Sequence, residues 1–381
     1  MNQNMCFSRF DNSNSNEVFL AIESKQGLNF SQSLQNVLGR YKEVLQQEGL
    51  DDNSEIFLRF HLSDITNQLP ILKGTIQDIE DRSFVSIIGQ PPARGGKIAL
   101  EAYHIDAPGR LRKLERTPNT LTVRHGNYCS QWIKGQLARP ESSYQQTHQI
   151  FAHLASEISK YDATILDNII RTWIYVRDID NNYQGMVDAR RELFDIIGLT
   201  KGTHYIASTG IEGLGCNVSD LVSMDSLSIT GLAPEQITFI NAPEYLCPTY
   251  DYNVTFERAT RVTYGDRSHY YISGTASIDR EGNILHPENV IKQAERTLVN
   301  IEALLQKYGA EMNDLKILVV YLRDPSEAGI VNNFLQNALP KNIPWIMVRG
   351  AVCRPQWLIE IEGIAISKFA DYRYESFCHS M

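Results

Sequence analysis

The sequence predicts an α+β protein built as two similar halves, and three observations carry that expectation. A strand-like stretch is repeated: residues 168–178 end in Tyr175-Val-Arg-Asp178, and residues 316–324 end in Tyr321-Leu-Arg-Asp324. Each copy is preceded by an amphipathic helical stretch that closes on Lys-Tyr, at Lys160-Tyr161 and again at Lys307-Tyr308. Each half also opens on strand-like segments. Strands, then a helix, then more strands is the order of domains whose helices cover one sheet face. Its recurrence about one domain length apart points to a tandem duplication.

In the first half, residues 84–92, 97–104 and 120–124 run apolar or alternate as strands do. Ile150, Phe151, Leu154 and Ile158 then fall on one face of a helix over 147–160, which leads into the strand at 168–178. The division is placed near residue 236, in Gly231-Leu-Ala-Pro-Glu-Gln236, giving units 1–236 and 237–381. The second half repeats the plan with a strand at 270–278 and a turn at Asp279-Arg-Glu-Gly282. Its helix over 290–307 carries Ile291, Ala294, Leu298, Ile301 and Leu305 in register and stops at Gly309. Strands at 316–324, 345–349 and 357–366 complete it. The first 80 residues are read only as an N-terminal extension.

Composition narrows the function. At 43% hydrophobic and 21% charged, the chain can bury a core and is not disordered. A net charge of −9 argues against a nucleic-acid partner, which needs a broad cationic surface. No apolar run is long enough to span a membrane. The polar start lacks the basic and apolar regions of a signal peptide, and six cysteines without a CxxC pair fit reduced thiols, so a cytoplasmic protein is expected. No nucleotide loop, zinc-protease motif or nucleophile elbow occurs, and the histidines form no ligand pattern, so neither cofactor nor metal is expected. His104, His125 and His269 read as satisfied strand residues.

The chemistry-bearing residues are few. Alternation along Leu358-Ile-Glu-Ile-Glu362 puts Glu360 and Glu362 on one strand face, where a desolvated carboxyl can serve as an acid near neutrality. Ala351-Val-Cys-Arg-Pro355 sets the Cys353 thiol beside a guanidinium just upstream. Arginines and tyrosines interleave through the central third, Arg171, Tyr175, Tyr183, Arg190, Tyr245 and Arg258 among them. A guanidinium fork with a phenol donor is a grip for a carboxylate, and two such pairs suit a dicarboxylate.

These motifs resemble a known family. Ile272-Ser-Gly-Thr-Ala276, Tyr321-Leu-Arg-Asp324 and Ile359-Glu-Ile-Glu362 resemble the YjgF-like reactive-intermediate deaminases. With Ile88-Gly-Gln-Pro-Pro92, His125-Gly-Asn-Tyr128, Arg171-Thr-Trp-Ile-Tyr-Val-Arg-Asp178, Phe256-Glu-Arg258 and Val352-Cys-Arg-Pro355, residues from about 80 to 366 are similar to the chorismatases. The resemblance implies a tandem pair of YjgF-like (chorismate-mutase-like) domains, each a mixed sheet plus helices. It implies cleavage of chorismate to pyruvate and an aromatic or dihydroxycyclohexadiene acid, without a cofactor. It assigns Glu360 as the catalytic acid, Tyr183 with Arg190 and Tyr245 with Arg258 as the substrate-binding pairs, and Gly274 and Ala276 as the wall against the ring. Cys353, seven residues before Glu360, resembles the branch that forms 3-hydroxybenzoate, in some members with 4-hydroxybenzoate. Single-domain relatives are trimers, so a monomer or a homotrimer is expected. Two rival readings remain: an imine deaminase, which would hold its substrate through an arginine such as Arg349, and a small-ligand binding protein without catalysis.

Overall fold

A computed structural model describes residues 7–135, 142–252 and 254–380; Cys6 lies outside the described residues. Three sheets, each carrying helices, follow one another along the chain. The first contains β1 (Phe7–Phe10), β2 (Asn16–Glu23), β3 (Glu55–Leu62), β4 (Phe84–Gly89) and β5 (Ile98–Asp106), with helices α1 (Phe30–Glu48), α2 (Ile65–Thr75) and the one-turn α3 (Gln77–Glu80). The second contains β6 (Leu111–Arg116), β7 (Thr120–His125), β8 (Tyr128–Gly135), β9 (Ile169–Val176), β10 (Ala207–Glu212) and β11 (Val222–Thr230). Its helices are α4 (Ser143–Ser159), α5 (Ile165–Asn168) and α6 (Ile179–Ile197). The third contains β12 (Ile237–Ile240), β13 (Ala259–Thr263), β14 (Ser268–Ala276), β15 (Leu315–Leu322), β16 (Trp345–Arg349) and β17 (Ile359–Ser367), with α7 (Val290–Gln306) and α8 (Ala328–Ala338).

The spatial orders are β1-β2-β5-β3-β4, β6-β7-β8-β11-β9-β10 and β12-β13-β14-β17-β15-β16. Apart from the missing outermost strand of the first sheet, the three connectivities are the same. In each, one parallel pair (β3/β4, β9/β10, β15/β16) is joined through a helix and all other neighbours are antiparallel. The α+β class and the two repeats read from the sequence are present. The residues ahead of them are not an extension, however: they build a third unit of the same plan. The strands expected at 84–92 and 97–104 belong to this first sheet, as β4 and β5, and not to the sheet that contains β7. The first unit lacks the repeated signature: β3 runs out into His61-Leu-Ser-Asp64 where the other two units have Tyr-x-Arg-Asp.

That signature has a physical role. Tyr175 and Tyr321 are buried at the strand ends, and the following arginines tie down the loops before the last strand of each sheet. Arg177 Nε donates to Asp220 O at 2.9 Å, and Arg323 Nη2 to Val352 O at 2.6 Å. Helix starts follow ordinary chemistry: α1 and α4 open with capping boxes, Asn29 with Gln32 and Ser142 with Gln145.

The sheets turn their inner faces toward one another around a cavity of about 40 Å³ that Glu17, Arg59, Glu101, Arg171, Trp173 and Glu362 help to line. Each seam between sheets carries a buried ion pair: Arg59 Nη2 to Asp225 (3.2 Å) between the first and second, Arg171 Nη2 to Glu362 (2.7 Å) between the second and third, and Arg267 Nη1 to Glu17 (2.6 Å) between the third and first. The three histidines are satisfied. His104 bonds Tyr41 and Ser54, His125 bonds Phe377 O and Ser130, and His269 bonds Glu17. Among the described residues no helix is long and apolar enough to cross a membrane, and no three His, Cys, Asp or Glu side chains are grouped to hold a metal ion.

Candidate active site

The pocket that gathers most of the expected residues lies on the seam between the second and third sheets and encloses about 40 Å³, as the central cavity does. From the second unit come Tyr183 and Arg190 of α6 and Ser208, Thr209 and Gly210 of β10. The third unit supplies Phe256 and Arg258 ahead of β13, Gly274 and Ala276 of β14, Cys353 and Trp357 in the loop after β16, and Glu360 of β17.

Glu360 is the centre of this arrangement. Its Cα pairs with Ala276 on one side and Tyr321 on the other, which fixes the carboxyl between two neighbouring strands. The side chain is 7% exposed. Burial, and then the like charge of Glu362, push its pKa up to about 8 against the opposing pull of Arg258 and Arg171. Glu360 is therefore a carboxylic acid at neutral pH, as a donor of protons to carbon must be.

Gly274 sits against that acid. A Cβ at this position would lie 2.2 Å from Glu360 Oε1 and 3.1 Å from Thr209 Cγ2. Gly274 and Ala276 both line the pocket, and the space that the missing side chain of Gly274 leaves is taken by the Glu360 carboxyl. The β14/β17 register shifts between Ile272 and Thr275, and this irregularity brings Gly274 up to the acid.

The two arginines are almost fully enclosed, Arg190 at 2% and Arg258 at 5% exposure. Arg190 Nε donates to Thr255 Oγ1 (3.2 Å) and Nη1 to Ser208 Oγ (3.3 Å). Arg258 Nη2 donates to Cys247 O (2.8 Å), and its guanidinium carbon lies 5.4 Å from the centre of the Phe256 ring. Two turns of α6 do put Tyr183 and Arg190 on the same wall. Tyr245 is not brought in: it is 43% exposed, outside the pocket lining, and its carbonyl accepts from Arg296 Nη2 at 2.7 Å. The aromatic ring beside Arg258 is Phe256, which has no phenol to donate.

Cys353 is half-buried, and burial followed by the nearby Glu360 charge pushes its thiol up to about 12, with Tyr183 pulling the other way. It is a neutral S–H group at physiological pH, not a thiolate. Trp357 also lines the pocket and is held by its Nε1–H on Ser277 O at 3.2 Å. Arg349, the residue an imine deaminase would use, is exposed and pairs with Glu212 at 3.4 Å, outside the pocket.

Sequence reading missed Ser208, Thr209 and Gly210, because nothing local says that β10 faces another sheet's acid. It also left Glu362 and Arg171 unpaired. Register makes their meaning visible. Arg59 pairs with Glu101, Trp173 with Asp225 and Val319 with Glu362, so one acid recurs at the same place in all three sheets. At the place of Glu360, by contrast, the first sheet has Ala99 (opposite His61) and the second Ser223 (opposite Tyr175). Only the third sheet carries an acid there.

Comparisons with known proteins agree with this architecture. Residues 260–367 match the family described as Endoribonuclease L-PSP. A 3-hydroxybenzoate synthase of Streptomyces hygroscopicus is 24% identical over 221 residues, covering 52% of this chain and 64% of that protein, so the match spans less than two thirds of that relative's length. A RutC family protein of Pyrococcus abyssi is 28% identical over 96 residues, covering 25% of this chain and 76% of that protein. Among solved structures, a chorismatase superposes with a TM-score of 0.63 at 18% identity, covering 91% of this chain and 98% of that one. The resemblance to the chorismatases is borne out by these matches, and the chain has the chorismatase fold with an L-PSP-type third unit.

Proposed function

We propose that this chain is a chorismatase: it binds chorismate in the pocket between its second and third sheets, releases pyruvate from the enolpyruvyl ether, and leaves 3-hydroxybenzoate. The observation that carries the reading is a single protonated carboxyl, Glu360, facing the same enclosed pocket as two buried arginines. The 3-hydroxybenzoate synthase relative and the chorismatase fold support it.

Chorismate offers two carboxylates and one enol ether. Arg190 with Tyr183, and Arg258 against Phe256, are the groups to hold the carboxylates, and fixing the substrate relative to the acid removes most of the entropic part of the barrier. Glu360 then gives its proton to the methylene carbon, which creates an oxocarbenium ion and a carboxylate. The neighbouring ring hydroxyl captures the cation, and its proton restores the acid form of Glu360. Opening of this adduct and loss of a ring proton leave pyruvate and the aromatic acid, with no water consumed overall. Capture by water instead would give the dihydroxycyclohexadiene acid. The neutral Cys353 thiol lies where it can shape that choice, and it needs no ionisation to do so.

The test is incubation of the purified chain with chorismate, with pyruvate measured enzymatically and the ring product identified by chromatography. Pyruvate with 3-hydroxybenzoate is the expected outcome. Binding without pyruvate release, or turnover of a 2-iminoacid in its place, would overturn the reading.

A further inference from the structure

Behind Glu360 lies a hydrogen-bonded group that the proposed chemistry does not itself use. Glu362, 2% exposed, accepts from Arg171 Nη2 (2.7 Å) and from the Thr209 hydroxyl on one oxygen, and from Tyr321 OH (3.0 Å) on the other. Three donors on one carboxylate leave it only an acceptor's role. Thr209 Oγ1 also accepts from Arg171 Nη2 (2.5 Å) and from the Gly274 N–H (2.9 Å), so the network runs directly into the residue against which Glu360 rests. Arg171 and Thr209 belong to the second sheet, and Glu362, Tyr321 and Gly274 to the third.

The geometry points to Glu362 as a positioning residue for the proton donor: it engages Arg171, and through Thr209 and Tyr321 the strands on either side, so that this guanidinium does not pair with Glu360. The inference rests on Glu360 being the acid of the proposed reaction. The charged and titratable groups facing Glu360 are Glu362 on its own strand, Arg171 from β9, Tyr321 from β15, Arg258 ahead of β13, Cys353 from the preceding loop, and Arg190 and Tyr183 from α6. Glu362 opposes ionisation of Glu360, whereas Arg258 and Arg171 favour it. Arg171 is the cation whose pull is balanced by a carboxylate of its own. Replacing Glu362 by an amide removes the opposing charge and leaves Arg171 facing Glu360, and both changes lower the pKa of Glu360.

The experiment reads the Glu360 carboxyl in the free protein, by infrared difference titration of the carboxylic C=O band that Glu360→Gln abolishes. It is run alongside the pH profile of kcat on chorismate. Wild type should titrate near 8. Glu362→Gln should shift that titration, and the alkaline limb of kcat, down by about one unit or more. The double variant Arg171→Met/Glu362→Gln, which buries no unpaired charge, should bring the titration back toward the wild-type position. An unshifted titration in the single variant, or a double variant that fails to return, overturns the proposal. A merely structural role would lower kcat at every pH without moving the limb. If the single variant does not fold, the double variant decides alone: a titration near the wild-type position supports the proposal, and one in the ordinary carboxylate range overturns it. If wild type shows no activity on chorismate while the band behaves as described, the proposed function fails and the charge arrangement stands.

Discussion

At the scale of the residue, the proposed chemistry rests on one carboxyl. In the proposed reaction Glu360 must be protonated to act, and its pKa is pushed up to about 8, so activity should hold through neutrality and fall as pH rises through that value. Glu360→Gln, close in shape but unable to give a proton to carbon, should lower kcat by about 10²–10⁴-fold with substrate affinity nearly kept. A variant that retains turnover would move the acid elsewhere. Cys353→Ala bears on a different step. If the thiol governs the fate of the cation, chromatographic product analysis should show the dihydroxycyclohexadiene acid gaining on 3-hydroxybenzoate, while pyruvate release changes less. A uniform slowing with an unchanged ratio would make Cys353 a packing residue. Part of this was legible beforehand: alternation put Glu360 and Glu362 on one strand face, and the resemblance to the chorismatases picked out Glu360 and paired Tyr183 with Arg190. Tyr245 was not, since composition cannot tell a phenol on the surface from one in a pocket. Nor was the partnership of Arg171 with Glu362, which joins residues on different sheets.

Strands and helices set where those residues point. The irregularity in β14 and the glycine within it give Glu360 its resting place, so the element can be tested apart from the acid. In Gly274→Ala the new methyl meets the far end of a flexible side chain, which can swing away, so the fold should survive with a little-changed melting temperature. Turnover should not survive it, because a displacement of about 1 Å at a reacting group costs on the order of 10²-fold. Near-native turnover would show that the carboxyl does not need that place. Element by element, the sequence was readable where periodicity was strong. The helix expected at 290–307 is α7 at Val290–Gln306, and the strand expected at 345–349 is β16. The first sheet was the failure. Its strands are buried along nearly their whole length, which erases the alternation that marks a half-exposed strand, and its β3 lacks the repeated tetrapeptide.

At the scale of the whole molecule, the seams between sheets set the response to acid. Burial opposes the charge of Glu17, but His269, Arg267 and the Tyr103 hydroxyl outweigh it and hold its pKa at about 2, below the ordinary 4.5. Its contribution is therefore complete above about pH 4.5 and lost as pH falls toward 2. Desolvation lowers His104 to about 3 and His125 to about 4, so each takes up a proton on unfolding once pH drops below about 6.5. These three effects have the same sign; between about pH 8 and 4.5 they are opposed by Glu360, whose raised pKa favours the folded state as pH falls, so the urea midpoint should decline clearly only below about pH 4.5. A midpoint that stays flat from about pH 4.5 to 2.5 would contradict this. The pocket lies on such a seam, and the second and third units that line it are consecutive stretches of one backbone. A site shared between separate subunits empties as they dissociate, so its activity per protein falls on dilution. Here the walls drawn from the second and third units are joined by covalent backbone, so their effective concentration does not depend on how much protein is present.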